Sequence, residues 1–348
     1  MTLTAVANVP VADPRRLMEA VSDHLAEHGT PLPAEPDRRG ISFPFGKVAL
    51  SIGDGSLVLE AEAPDLEGLL TARFALTSHL LEFAEGEAPP IVWSGDGSEV
   101  VRPPNYREIT VTAVEDLTPH MRRIHFTGED LGRFADIGNM HVRLTFPLPG
   151  EAMPVPRLGP NGMPGWPDGV ARPIERKYTI RSIDVAAGSF AIDFVLHDDT
   201  PGPGSAFASG AQPGQRIGMA GPGGRGLMAA DWHLFIADET GLPAVARMLE
   251  SLPGHARGVA IIEVADAGER QPLVHPPGIR LDWRLRAADP APLLDQVRAI
   301  ALPTEGSVRV WGAVEFDDFK CLRSHVRDTL GLAGDQQLVV SYWRRGHD

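Results

Sequence analysis

The feature that most constrains the fold is a change of period along the chain. Short β-type runs alternate with Gly and Pro at Glu108–Val114, Met121–Phe126, Met140–Phe146, Ile174–Ile183, Phe190–Leu196 and Arg216–Ala220. Six such strands predict a closed antiparallel barrel. From Trp232 onward the pattern is different. Apolar runs at His233–Ala237, Val259–Ala265, Arg280–Leu285, Val308–Gly312 and Leu338–Tyr342 are interleaved with helical patterns at Gly241–Ser251, Ala291–Ile300 and Phe316–Thr329. Alternating strands and helices predict an α/β doubly wound sheet, whose ligands bind at the carboxyl ends of its strands.

The first hundred residues form a third segment. A helix near Asp13–His28, β-type runs at Ile41–Phe45, Lys47–Ile52 and Leu57–Ala63, and a helix near Pro64–Ala84 predict a compact α+β module. Gly53-Asp54-Gly55 supplies the hairpin turn between two of the strands. The chain therefore reads as multidomain, divided at 1–100, 101–228 and 229–348, which agrees with its 348 residues. Pro149–Pro173 interrupts the barrel strands with a Pro/Gly-rich loop, and loops of that length are usually functional or disordered.

Candidate site residues cluster on the strand Arg176-Lys177-Tyr178-Thr179-Ile180-Arg181. Residues two apart share a strand face, so Arg176 and Tyr178 point one way and Lys177 and Thr179 the other, unless the strand bends. A forked guanidinium suits a pyrophosphate, a tyrosine offers a ring to stack, and a hydroxyl can meet a ring nitrogen. The combination reads as a flavin site. Downstream, Asp193-Phe194-Val195-Leu196-His197 breaks into a Gly/Pro turn and then a short helix at Gly204 or Ser205. A helix start presents unpaired N–H groups to an anion, with Ser205 as its N-cap or a phosphate ligand. Asp238-Glu239-Thr240-Gly241-Leu242-Pro243 lies at a strand's carboxyl end, where a dinucleotide phosphate would sit.

These blocks, together with Gly-Pro-Gly-Ser-Ala-Phe-Ala at 202–208 and Tyr-Trp-Arg-Arg-Gly at 342–346, resemble the siderophore-interacting proteins over about residues 103–348. That family comprises flavin-containing ferric-siderophore reductases related to the ferredoxin-NADP reductase superfamily. The resemblance implies a flavin-binding β-barrel followed by a nicotinamide-binding domain. By position it places FAD against Arg176, Tyr178 and Thr179, with Val195, His197, Gly202, Gly204 and Ser205 along the pyrophosphate. Asp238, Glu239 and Thr240 would meet the nicotinamide cofactor, and Tyr342 or Trp343 would shield the flavin. The sequence departs from the family pattern at Asp198 in place of Gly, at Phe207 in place of Trp, and at Val314 in place of a small residue, where it would crowd a cofactor. The N-terminal module also resembles a domain of uncharacterised role sometimes fused to these reductases.

The formal net charge of −14 argues against nucleic acid and anionic membranes. Positive charge is local instead. Arg172, Arg176, Lys177 and Arg181 fall close together, and Arg344 and Arg345 lie near the C-terminus. Arg181, Arg344 and Arg345 are taken as contacts to an anionic ferric siderophore. No apolar run reaches the roughly 20 residues needed to span a bilayer, and no secretory signal is evident. The one cysteine, Cys321, is compatible with a cytoplasmic setting and reads as a small core residue of a helix.

Two motifs are declined. Gly221, Gly223 and Gly226 spell GxGxxG, but no long helix follows before Trp232, so they read as an interdomain turn. His24-Leu25-Ala26-Glu27-His28 spells an inverted zinc-protease pattern, but a catalytic zinc needs a third protein ligand and an open cleft, so no metal site is expected. Glu263 and Asp266 could receive a ribose 2′-OH and favour NADH, while Arg270 argues for NADPH, and both remain open. The reading is an FAD-dependent ferric-siderophore reductase using NADH or NADPH. A general flavin oxidoreductase or electron-transfer protein, and a non-enzymatic iron-chelate binder, are the alternatives.

Overall fold

The computed structural model describes residues 2–148, 150–197, 202–289 and 291–346; Asp198 lies outside them. The chain begins with β1 (Leu3–Pro10), α1 (Pro14–Ala26), β2 (Thr30–Pro31), β3 (Arg38–Phe43), β4 (Gly46–Gly53), β5 (Ser56–Ala63), α2 (Leu66–Phe83) and β6 (Ser94–Gly95). It continues with β7 (Tyr106–Thr118), β8 (Met121–Thr127), β9 (His141–Phe146), β10 (Arg157–Leu158), β11 (Pro164–Gly165), β12 (Ile174–Asp184), β13 (Ser189–Val195), α3 (Pro203–Gly210) and β14 (Arg216–Gly223). It closes with β15 (Trp232–Ala237), α4 (Leu242–Ser251), β16 (Arg257–Val264), β17 (Ile279–Leu285), α5 (Leu293–Arg298), β18 (Val308–Glu315), α6 (Phe316–Ser324) and β19 (Gln337–Trp343).

Two compact units result: residues 1–106 with 154–171, and residues 107–153 with 172–348. In the first, a sheet of order β2-β3-β4-β5-β1-β6 carries both helices against one buried core that includes Leu17, Val21, Leu50, Leu59, Leu69 and Leu76. Asp13 caps α1 by accepting from Arg16 N–H, and Asp65 caps α2 by accepting from Gly68 N–H, each contributing about 1 kcal/mol. Sequence reading missed β1, which pairs with β5 along its whole length. Most of the long loop does not belong with the barrel. Residues 154–171 fold with this unit, where the Asn161 carbonyl accepts from the Trp93 indole at 3.1 Å and from the Thr77 hydroxyl at 2.8 Å.

The second unit holds the six-stranded antiparallel barrel, order β12-β13-β8-β7-β14-β9. Its inward residues, among them Ile109, Ile124, Phe126, Leu144, Ile192 and Phe194, alternate with outward ones along each strand. The parallel sheet beside it has the order β17-β16-β15-β18-β19. Phe235 and Ala237 face α4 and the barrel's Met121 and Met140, while Leu234 and Ile236 face α5 and α6. Both faces are therefore buried, which is why these strands read as continuous apolar runs.

The strand order reverses between β15 and β18, a topological switch point. Gly221 and Gly223 end β14, no helix lies between β14 and β15 among the described residues, and a Cβ on Gly226 would meet the Ile137 carbonyl at 1.9 Å. Cys321 is exposed on α6 rather than in the core. No described helix is long and apolar enough to cross a membrane.

Candidate functional site

β12 works on both of its faces. Tyr178 packs its ring on Phe194, centroids 4.4 Å apart, and edge-on to Phe146. Its hydroxyl reaches the first turn of α3, where a Cβ on Gly204 would lie 1.6 Å from it. Burial holds the Tyr178 hydroxyl well above the ordinary tyrosine range, and the charge of Arg176 offsets part of that. Arg176 itself donates only to the Glu175 carbonyl among the described residues, so its cation is unspent. Phe207 fills the adjacent aromatic cluster, 5.1 Å from Phe146.

α3 begins after Gly202, and no side chain caps it. The expectation that Ser205 is the N-cap is corrected. Ser205 is buried within the first turn, and its hydroxyl oxygen accepts from His197 N–H at 3.0 Å, which ties His197 to α3 and leaves the hydroxyl proton to donate. Val195, the last residue of β13, packs toward the parallel-sheet domain. The first turn of α3 thus has no side-chain acceptor at its cap position. An unspent guanidinium, an uncapped helix start and a position that only glycine fits make a donor set suited to FAD's pyrophosphate.

The opposite face of β12 meets the parallel-sheet domain. Arg181 donates to both Glu250 oxygens, at 2.8 and 2.5 Å, and its side chain is 11 % exposed. This corrects its expected role as a siderophore contact, because the guanidinium is consumed in an ion pair with α4. The buried Arg247 of α4 donates to the Ile180 and Ala135 carbonyls. Thr179 is buried beneath Tyr342, whose hydroxyl hydrogen-bonds His141 Nε2. Burial, with Lys177 and Arg247 nearby, pushes His141 down to about 4. Neither His141 nor Arg247 carries a sequence signal of its own.

At the switch point, Asp238 is fully buried. Its carboxylate accepts from Thr240 N–H and hydroxyl, from Gly241 N–H, and from the Trp343 indole at 2.7 Å. Burial pushes it up to about 6. Glu239 is held by both terminal nitrogens of Arg286. The side chains of Asp238, Glu239 and Thr240 are thus engaged within the turn at which the sequence places the dinucleotide. They bond one another and their neighbours, and so shape the turn. Glu263 is likewise unavailable to a ribose, since Arg284 and Arg286 hold its two oxygens, and Asp266 accepts from Gly268 N–H.

Arg270 makes no side-chain hydrogen bond among the described residues and lines a cavity of ≈ 410 Å³ with Trp283, Leu285, Ala288 and Asp289. Val314 points into the core against α6, not toward the face of Trp311 and Ala313, so it crowds nothing there. Tyr342 sits between His141 and Trp311. Trp343 has its ring 6.4 Å from that of His197. Arg344 stacks over Phe316 at 4.8 Å, and the Arg345 N–H donates to Glu315; both arginines are exposed.

A barrel with a pyrophosphate-type donor set, packed in one unit with a parallel nucleotide-binding sheet, defines a flavoprotein class. Residues 110–226 match the siderophore-interacting FAD-binding domain, and residues 230–346 match the siderophore-interacting protein family. The chain belongs to the siderophore-interacting protein family and carries its FAD-binding domain. Residues 6–94 match an uncharacterized protein family conserved in bacteria (DUF2218).

The chain is 29% identical over 236 residues to the ferric vibriobactin reductase ViuB of Vibrio cholerae, covering 66% of this chain and 86% of that protein. It is 35% identical over 184 residues to the NADPH-dependent ferric-chelate reductase of Escherichia coli, covering 51% and 70% respectively. The crystal structure of the siderophore-interacting protein SipS from Aeromonas hydrophila matches with a TM-score of 0.60 at 33% identity, over 70% of this chain and 93% of that one.

Proposed function

We propose that the chain is a cytoplasmic FAD-dependent reductase of ferric siderophores that draws electrons from NADPH. In this reading the barrel within residues 107–153 and 172–228 holds FAD, residues 229–348 take the dinucleotide, and residues 1–106 with 154–171 are accessory. The observation that carries it is the juxtaposition of unspent Arg176, the uncapped start of α3 and Tyr178 against Gly204. Bound FAD would accept a hydride from the dinucleotide and return electrons singly to Fe(III), whose reduced form its oxygen-donor chelator holds less tightly.

The protein's own residues orient and neutralise. Arg176 and the α3 N–H groups offset the pyrophosphate charge. Trp343, fixed by Asp238 beside His197, is the aromatic placed to cover the flavin. Arg344 and Arg345, exposed on an acidic protein, are the cations left to draw an anionic chelate. Arg270, in its cavity with Trp283, supports a 2′-phosphate, and the engagement of Glu263 by Arg284 and Arg286 weakens the support for NADH.

The test is an absorbance titration of purified protein reconstituted with FAD. Anaerobic NADPH should bleach the flavin bands, a ferric siderophore should restore them, and an Fe(II) trap should colour in step. Arg270→Ala should lower kcat/KM for NADPH about tenfold relative to NADH. A protein that takes up no FAD would sink the reading.

A further inference from the structure

The N-terminal unit carries a cluster that the reductase reading does not use. The last turn of α1 brings up His24, with His28 just beyond it, and the end of α2 brings up His79 and Glu82. One ligand atom each from His24, His79 and Glu82 lies within 4.8 Å of the others. His79 Nδ1 and Glu82 Oε2 are 3.3 Å apart. The His24 ring is 4.8 Å from that of His79 and 5.4 Å from that of His28. Among the described residues neither His24 nor His28 makes a side-chain hydrogen bond to protein, and His24 is half-buried.

We infer that this cluster is a binding site for a divalent first-row transition ion, with His24, His79 and Glu82 as ligands and His28 poised as a fourth. Two imidazoles and a carboxylate suit such ions, whereas an all-oxygen set would suit calcium or magnesium. Ligands at about 2.1 Å around a tetrahedral ion lie roughly 3.4 Å apart. The His79–Glu82 pair already has that spacing, and the His24 ligand atom lies within 4.8 Å of both. The exposed Glu82 carboxylate leaves a route in from solvent. The sequence pattern showed His24 and His28 and hid His79 and Glu82, because α2 supplies them only once the two helices are folded together. The inference rests on this donor set alone and does not depend on the reductase reading.

The experiment is Co(II) titration of the full-length, tag-free protein followed by visible absorption, with Zn(II) as competitor. One Co(II) per chain should bind, with ligand-field bands of a mixed nitrogen/oxygen site that Zn(II) displaces. His24→Ala and His79→Ala should each weaken binding by more than about 100-fold, since even groups behind the ligands contribute about 10–100-fold. Glu82→Gln should weaken it about tenfold, and circular dichroism should show each variant folded. Absence of stoichiometric binding, or a His24→Ala/His79→Ala double variant that binds as tightly as the parent, would overturn the inference. FAD uptake, read separately in the same samples, keeps this outcome distinct from failure of the reductase reading.

Discussion

The Trp343 indole donates to the Asp238 carboxylate at 2.7 Å, tying the last strand of the parallel sheet to the turn that opens α4. Asp238 is otherwise satisfied from its own turn, so Trp343 is its one distant donor among the described residues. Trp343→Phe keeps an aromatic ring, though a smaller one, and removes the donor. Leaving a buried acceptor short of a partner costs about 1–3 kcal/mol, so thermal denaturation should show a fall in Tm of several degrees. An unchanged Tm would mean that the bond contributes nothing to stability.

Two buried groups near this junction give opposite pH dependences. His141 is pushed down to about 4, so its contribution is present above the ordinary histidine value and is lost as pH falls toward 4. Asp238 is pushed up to about 6, so its contribution is present at low pH and is lost as pH rises through 6. Between about pH 4 and 6.5 they partly cancel. In Asp238→Asn the loss of stability on acidification across that window should steepen relative to the parent; in His141→Gln it should flatten. Urea denaturation at half-unit pH steps reads both slopes, and parallel curves for all three proteins would contradict this assignment.

Gly204→Ala drives a Cβ into the Tyr178 hydroxyl. Displacing Tyr178 or the first turn of α3 should weaken FAD binding at least tenfold, about 1.4 kcal/mol, as measured by quenching of flavin fluorescence. Adding Tyr178→Phe removes the closest atom but leaves the ring carbon 2.7 Å from the new methyl, so it should restore only part of the loss. Full-strength FAD binding by Gly204→Ala alone would show that the cofactor does not use this turn.

The arginines separate by what they touch. Arg181→Ala leaves the exposed Glu250 to solvent and should lower stability by about 1 kcal/mol or less, whereas Arg344→Glu/Arg345→Glu should raise KM for an anionic ferric chelate about tenfold without moving the flavin spectrum. Steady-state kinetics beside denaturation curves distinguish the two. If Arg181→Ala raised KM with stability intact, its ion pair with Glu250 would not be its main role.

Much of this architecture was legible because its signals are local. The six barrel strands fall where the β-type runs are bounded by Gly and Pro, and the parallel strands fall on continuous apolar runs. β1 escaped because its inward residues include the small Ala5 and Ala7 and it ends in Pro10, a weak strand signal that only pairing with β5 redeems. The alternation along β12 put Arg176 and Tyr178 together in advance. Arg181 was misassigned because its partner Glu250 lies 69 positions away, and His141 was overlooked because Tyr342 lies 201 away. A charged or aromatic side chain shows its chemistry in the sequence, but whether that chemistry is already spent depends on contacts of high sequence separation.

The backbone passes between the two compact units at 106/107, 153/154 and 171/172. The accessory unit is consequently not a bead that truncation can remove. Cutting before the barrel would strip 154–171 of Trp93 and Thr77, the side chains that hold Asn161, and leave an orphaned arm protruding from the flavin-binding half. A workable excision must also replace that arm with a short bridge, and a gene that gained this unit by simple end-to-end fusion would still have had to evolve the arm afterwards.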